Sequence, residues 1–373
     1  MDADRKIFDF ALYCHVDISL QTMLLKLQAK KNFINSINYF RGIAIVFIVL
    51  GHCYHLAHWK ISGNLEEIIY SLTLNGSVYF VFISGFLFHH IFYHRFNYQQ
   101  FMVKKLKYVL LPYLFFSVYP ILETVYLKGG GQYLPNELRD KHLIGVLWYL
   151  VTGRISYAYW YIPMAILLFA LSPVIIWLVQ SNYLLKAILF LLPISMIIHR
   201  PVDNINTLQS LVYFLPVYLL GIYSSINKQA IYAYLKDKRI TIFAIALALG
   251  MIQVILFKQS GNFHKEWLSL GVPDINLVQK LLLCFLLMSV LDIYEESDIP
   301  SLKKTAETSF AIYFIHPVLI DFGIGLTRTM QWNYQGNFLT LLLTTGIIVL
   351  LSMAIAYLVK TVFRRNSRYL IGW

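Results

Sequence analysis

Charged side chains are in short supply in this sequence: Asp, Glu, Lys and Arg make up 13% of its 373 residues, about half the share found in an ordinary soluble domain. No low-complexity tract, internal repeat or separate polar domain interrupts it, so a water-facing globular fold is excluded. Acidic residues are the scarcer kind, 19 against 31 basic ones, giving a formal net charge of +12. The basic excess is scattered between apolar runs and forms no single stripe, which argues against nucleic acid as a partner. Cysteine is nearly absent. Cys14, Cys53 and Cys284 have neither metal-ligand nor redox spacing, which removes a disulfide framework, a zinc module and a dithiol centre; Cys53 and Cys284 read as buried free thiols. The close histidines of HCYH (52–55) and FHH (88–90) lack the acid that completes a zinc-binding helix motif, so no metal site is expected. A phosphate-cradling glycine loop, a serine-hydrolase elbow and a nucleic-acid module are all missing. No small-residue cleavage site follows the first residues, and no cleaved signal peptide is expected.

What is present is apolar. Hydrophobic residues make up 58% of the chain, the mean hydropathy is +0.61, and Tyr and Phe number 27 and 26. This composition predicts an all-α polytopic membrane protein with aromatic residues at interfaces and cavity walls. Runs long enough to cross a bilayer fall at about 39–58, 69–93, 106–127, 159–180, 184–199, 208–226, 239–257, 276–293, 308–328 and 338–363, about ten transmembrane helices in all. Leu143–Val151 is too short to cross alone. Basic clusters at Arg95/Lys104/Lys105/Lys107, Lys228/Lys236/Lys238/Arg239 and Arg364/Arg365/Arg368 fall on one side if both termini are cytoplasmic, as the positive-inside rule requires. The chain then divides into an N-terminal cytoplasmic, amphipathic segment (1–38), a transmembrane domain (39–363) and a cytoplasmic tail (364–373).

Within the first span, YFRGIAIVFIVLGHCYHLAHW (39–59), ionisable groups are costly and mark a functional site by default. Arg41 and His52 are 11 residues apart, about three turns and so on one helix face, about 16 Å apart along the axis. One end can hold an anion while the other handles a proton. His55 falls near the same face, and His58 at the water boundary.

Four segments in order carry a resemblance: FRGIAIVFIVLGH (40–52), FVFISGFLF (80–88), KKLKYVLLPYLFFS (104–117) and SFAIYFIHP (309–317), with weaker matches at YWYIPMAILLFALSP (159–173) and FLPVYLLGIY (214–223). Together they resemble the acyltransferase-3 family of integral-membrane O-acyltransferases. Two positions depart from the family pattern: Tyr159 stands before Trp160 where His is frequent, and Tyr108 where Arg is frequent.

The resemblance implies transfer of an acyl group, most often acetyl, from acyl-CoA to a hydroxyl of a cell-surface or lipid-linked carbohydrate, by a multi-pass protein of the inner (plasma) membrane among membrane lipids. Acetyl-CoA then serves as donor substrate, and no cofactor is permanently bound. His52 suits a general base at neutral pH, or a nucleophile that carries the acyl group. Arg41 with Lys104, Lys105 and Lys107 suits the donor's phosphates, and Ser84 the oxyanion of the thioester carbonyl. His55, Trp160, Tyr161, Tyr313 and His316 are expected to bind substrate, with Pro317 kinking its helix to expose His316. Glu123 and Asp321 are acids near the outer span ends, able to orient a histidine or bind the acceptor. Two rival readings keep the same residues: a different acyl group, such as succinyl, or a non-sugar acceptor; and a glycan transporter in which Arg41 and His52 line a pathway.

Overall fold

The computed structural model describes residues 34–269, 271–332 and 334–373. The amphipathic segment expected over 1–38 lies, up to residue 33, outside the described residues, as does Cys14. The helices follow in the order α1 (Asn35–Cys53), α2 (Gly63–Thr73), α3 (Gly76–Leu87), α4 (Tyr98–Lys105), α5 (Leu111–Leu122), α6 (His142–Thr152), α7 (Tyr161–Ala170), α8 (Ser172–Gln180), α9 (Leu184–Ile198), α10 (Thr207–Ile226), α11 (Lys228–Leu235), α12 (Arg239–Met251), α13 (Ile275–Asp292), α14 (Pro300–Glu307), α15 (Ser309–Thr329), α16 (Phe338–Phe363) and α17 (Ser367–Ile371). Among the described residues the only sheet is a parallel pair of two-residue strands, β1 (Arg200–Pro201) and β2 (His264–Lys265), with Arg200 opposite His264.

Among the described residues eight helical stretches are long and apolar enough to cross a membrane: Asn35–Cys53, Gly63–Arg95, Tyr98–Leu127, Thr207–Ile226, Arg239–Leu256, Ile275–Asp292, Ser309–Thr329 and Phe338–Ile371. The expected span over 159–180 is instead α7 and α8, bent by 52° at their junction. Pro173 causes the break, because it lies in the first turn of α8, where a missing N–H costs nothing but where the preceding helix cannot continue. The shorter α9 occupies the expected 184–199, and α6 is the segment expected to be too short to cross.

Helix α1 is the hub, packing against α2, α3, α13, α14, α15 and α16. It begins before residue 39 because Glu295 caps it from across the chain: Asn35 and Ser36 donate their backbone N–H groups to the two carboxylate oxygens at 2.9 and 2.8 Å, an anion placed where the helix dipole is positive. It ends at Cys53, ahead of the expected 58, so His55 and His58 sit in the turn that follows. Two glycines permit the hub's close contacts: a Cβ on Gly42 would lie 2.8 Å from the Leu302 carbonyl oxygen of α14, and one on Gly76 would lie 2.8 Å from the Phe47 backbone. The α3/α10 crossing is tighter still, since a Cβ on Gly85 would lie 2.0 Å from the Tyr218 carbonyl oxygen and one on Gly221 2.0 Å from that of Phe82. Small residues that let backbones touch are a means of association for helices that gain nothing from leaving lipid.

Candidate active site

The register of α1 places its two ionisable ends in two different cavities. Arg41 lines the first, of about 680 Å³, with Ser84, Lys104, Lys105, Glu307 and Arg368 among aromatic walls that include Phe80, Phe101, Tyr108 and Trp373. His52 and Gly51 line the second, of about 810 Å³, with His55, His58, Arg154, Tyr157, Asp321 and Arg328. The two linings share no residue. A third cavity of about 490 Å³, with Tyr54, Trp59 and Tyr334 on its walls, shares His55 and His58 with the second.

In the first cavity the Arg41 guanidinium donates from Nη2 to Asn38 Oδ1 at 2.9 Å, while its buried Nε has no hydrogen-bond partner. An inward guanidinium with a spare donor is suited to an anionic oxygen. Lys105 is held inward by rings: its Nζ lies 4.4 Å from the centroid of Phe169 and 5.2 and 5.3 Å from those of Phe101 and Phe92, within cation–π range. The helical turns Phe88–Phe92 and Leu106–Leu110 are of the wide π type and aim Phe88, Ile91, Phe92, Tyr108 and Val109 at the cavity; such turns often mark functional sites. Arg368, from α17, lies over the Tyr108 ring at 4.8 Å. Lys104 lines the cavity, whereas Lys107 is exposed and outside its lining.

In the second cavity the His52 ring stacks on His316 (centroids 5.5 Å apart, planes at 27°) and against Tyr157 at 4.8 Å. Among the described residues nothing hydrogen-bonds the His52 imidazole, so it is available to a substrate. His316 is different. The helix runs on through Pro317, and His316 is fully buried, so the expected exposure does not occur. Its Nδ1 lies 2.9 Å from the Ile312 carbonyl oxygen, which fixes Nδ1–H as donor; Nε2 is buried with no partner and holds a lone pair. The segment before α7 is fastened to this helix: Tyr157 donates to the Pro317 carbonyl at 3.2 Å, Tyr159 to that of Phe314 at 2.9 Å, and Tyr313 returns a bond to Ala158 at 2.5 Å. Burial raises the Tyr157 hydroxyl pKa above its ordinary value, so it stays a donor.

Between the two cavities lies a wall of polar aromatic rings. Ser84 Oγ is 3.4 Å from the Tyr161 hydroxyl; Tyr161 meets Tyr313 at 5.9 Å, Tyr313 meets His316 at 6.2 Å, and His316 stacks on His52. Tyr161, Tyr313 and His316 are therefore placed between the cavities and line neither. Trp160 is buried on Phe214 with the Arg200 guanidinium over its ring at 4.9 Å, also away from both linings. Glu123 is paired with Lys128 at 2.7 Å and lines neither cavity.

Sequence reasoning missed two residues that the fold brings in. Arg154 follows a short apolar segment and reads as a loop cation; Arg368 reads as one of a topogenic cluster. Only Gly153, adopting a positive φ of 67° at the end of α6, hinted that the chain turns back sharply there.

The family model described as an acyltransferase domain matches residues 34–357. A search of curated proteins returns no match. The matched stretch runs from the start of α1 into α16 and contains every cavity residue named above except Arg368 and Trp373. With nearly the whole chain matched and its helices able to cross a membrane, this is a membrane acyltransferase that belongs to the acyltransferase-3 family.

Proposed function

We propose that the chain transfers an acyl group, acetyl in the first instance, from acyl-CoA to a hydroxyl of a cell-surface or lipid-linked carbohydrate. The observation that carries this reading is the division of α1 between a cation-lined cavity at Arg41 and a histidine-lined cavity at His52. Arg41, Lys104, Lys105 and Arg368 hold the phosphates of the donor, with the aromatic walls against its base. The pantetheine arm runs along α1 past Ser84, Tyr161 and Tyr313 towards His52, a rise of about 16 Å. Ser84 donates to the thioester carbonyl on the way in, and His316, its tautomer fixed by the bond to Ile312, backs the His52 ring.

His52 takes the proton of the acceptor hydroxyl as its oxygen attacks the thioester carbon. The new C–O bond forms, the C–S bond breaks, and the proton passes to the departing CoA sulfur. His55 and the aromatic groove of Tyr54, Trp59 and Tyr334 hold the sugar. Both termini and the Arg41 cavity face the cytoplasm in this reading, the His52 cavity faces the outer side, and the protein resides in the inner (plasma) membrane.

The test is calorimetric binding of acetyl-CoA to the detergent-purified chain, with release of free CoA assayed in parallel. Wild type is expected to bind; Arg41→Ala and a Lys104/Lys105 double alanine variant are expected to bind at least about tenfold more weakly; His52→Ala is expected to bind normally and to turn over no donor. Absence of any acyl-CoA affinity in wild type would overturn the reading.

A further inference from the structure

The His52 cavity carries a charge pattern that a neutral sugar does not need. Its ionised lining residues are Arg154, Arg328 and Asp321, an excess of one cation beside three histidines. Among the described residues Arg328 makes no ion pair. The more telling group is Arg154. Its side chain is only 10% exposed, it lies flat on the Tyr133 ring at 4.0 Å, and its Nη2 donates to the Tyr133 hydroxyl at 2.6 Å. Its acidic partner, Asp203, accepts a long 3.4 Å bond from the same Nη2; it is half exposed, so water screens the pair, and it lies outside the cavity lining. The Arg154 Nε is buried with no hydrogen-bond partner.

A guanidinium only 10% exposed, stacked on a ring and with its Nε left unpartnered, is a costly arrangement for a protein that only needs to seat uncharged hydroxyls. It is the arrangement that recognises planar or tetrahedral anions, because its fixed fork matches a carboxylate or phosphoryl group. Arg200 is a second buried guanidinium, beyond the Trp160 ring, with its hydrogen bonds going to the neutral oxygens of Asn75 and Asn204.

We propose that the acceptor seated at His52 carries an anionic group, a sugar carboxylate or a phosphoryl group, which Arg154 and Arg328 hold beside the hydroxyl to be acylated. This rests on reading the His52 cavity as the acceptor site. The anion fixes the sugar's orientation and so selects which hydroxyl reaches the imidazole.

The experiment follows the carbethoxylation rate of His52 and His55 by diethylpyrocarbonate in the purified full chain, read by mass spectrometry. The probes are glucuronate, glucose 1-phosphate and glucose, with acetyl-CoA binding measured on the same samples. Glucuronate or glucose 1-phosphate is expected to protect at concentrations where glucose does not, and the arm that protects identifies carboxylate or phosphoryl. Arg154→Gln and Arg328→Gln are each expected to weaken that protection by about tenfold while acetyl-CoA binding is unchanged; Arg154→Lys, which keeps the charge and loses the fork, is expected to fall between. Equal protection by glucose, no protection by either anion, or full protection in both glutamine variants would overturn the proposal. Loss of acetyl-CoA binding in wild type would instead sink the acyltransfer reading of the two cavities, so the two failures are distinct.

Discussion

Replacing Gly85 by Ala tests whether the α3/α10 crossing sets the shape of the Arg41 cavity. The added Cβ would lie 2.0 Å from the Tyr218 carbonyl oxygen and 2.8 Å from its carbon, while real Cβ contacts stay beyond 3.0 Å. The obstacle is backbone, so no rotamer change relieves it, and the helices must separate by about 1 Å. Overpacking of this kind costs about 1–3 kcal/mol. Phe80, Ile83, Ser84 and Leu87 of α3 and Tyr218 of α10 line the cavity, and a 1 Å misplacement of positioning groups can cost about 100-fold in rate. The expected outcome for Gly85→Ala is a melting temperature lowered by several degrees in detergent, together with weakened acetyl-CoA binding. Gly221→Ala, whose Cβ would strike the Phe82 carbonyl oxygen at 2.0 Å, should reproduce both losses. Gly346→Ala in α16 is the control, since a Cβ there meets nothing within 4 Å; it should leave binding intact and stabilise slightly, as Ala does in a helix interior. Wild-type melting and wild-type binding in Gly85→Ala would refute the argument.

Three further outcomes follow from the same geometry. Arg41→Lys keeps the charge but loses the fork, so the KM for acyl-CoA should rise about tenfold with kcat changed less; an unchanged KM in steady-state assays would remove Arg41 from donor binding. Tyr159→Phe deletes the bond to the Phe314 carbonyl and should cost about 1 kcal/mol of stability, read as a lower detergent melting point with acetyl-CoA affinity retained; unchanged melting would show that this hydroxyl does not help fasten α15. The third outcome concerns pH. Burial, then Arg200, pushes His264 down to about 4, and its neutral ring donates from Nδ1 to the Pro201 carbonyl at 2.7 Å. The unfolded chain binds a proton at about 6.5 that the folded chain refuses until about 4. The ring's contribution is therefore complete above pH 6.5 and falls as pH drops from there to 4, by up to about 1.4 kcal/mol per pH unit. His199, also lowered by burial, acts in the same direction, so His264→Gln should flatten the stability profile only in part; a profile as steep as wild type would contradict the assignment.

What the sequence made legible was whatever a single helix encodes. The apolar spans, the placing of Arg41 and His52 on one helix and the basic cluster ahead of α5 follow from rise, period and composition, and the fold keeps eight of the spans, that helix and Lys104 and Lys105 beside Arg41. Ser84-Gly85 carried two meanings in one dipeptide, a donor hydroxyl and a small-residue contact, and the structure gives the glycine to the α10 crossing and the serine to the cavity wall. What stayed hidden depends on partners far along the chain. The start of α1 is set by Glu295, whose carboxylate comes from the turn after α13. His316 is buried in a helix to which the hydroxyls of residues 157 and 159, far back in the chain, are fastened. Arg154 and Arg368 become cavity residues only when a loop and the last short helix fold back onto spans distant in sequence. These cases share a physical cause. A membrane span can announce a costly polar group, because lipid penalises it wherever it stands, but a loop cation carries no such penalty in the unfolded chain and so leaves no mark. The His52 cavity, built largely from loop and helix-end residues, is therefore the part that composition and periodicity could least foretell, and Arg154 is where a charge measurement will be most informative.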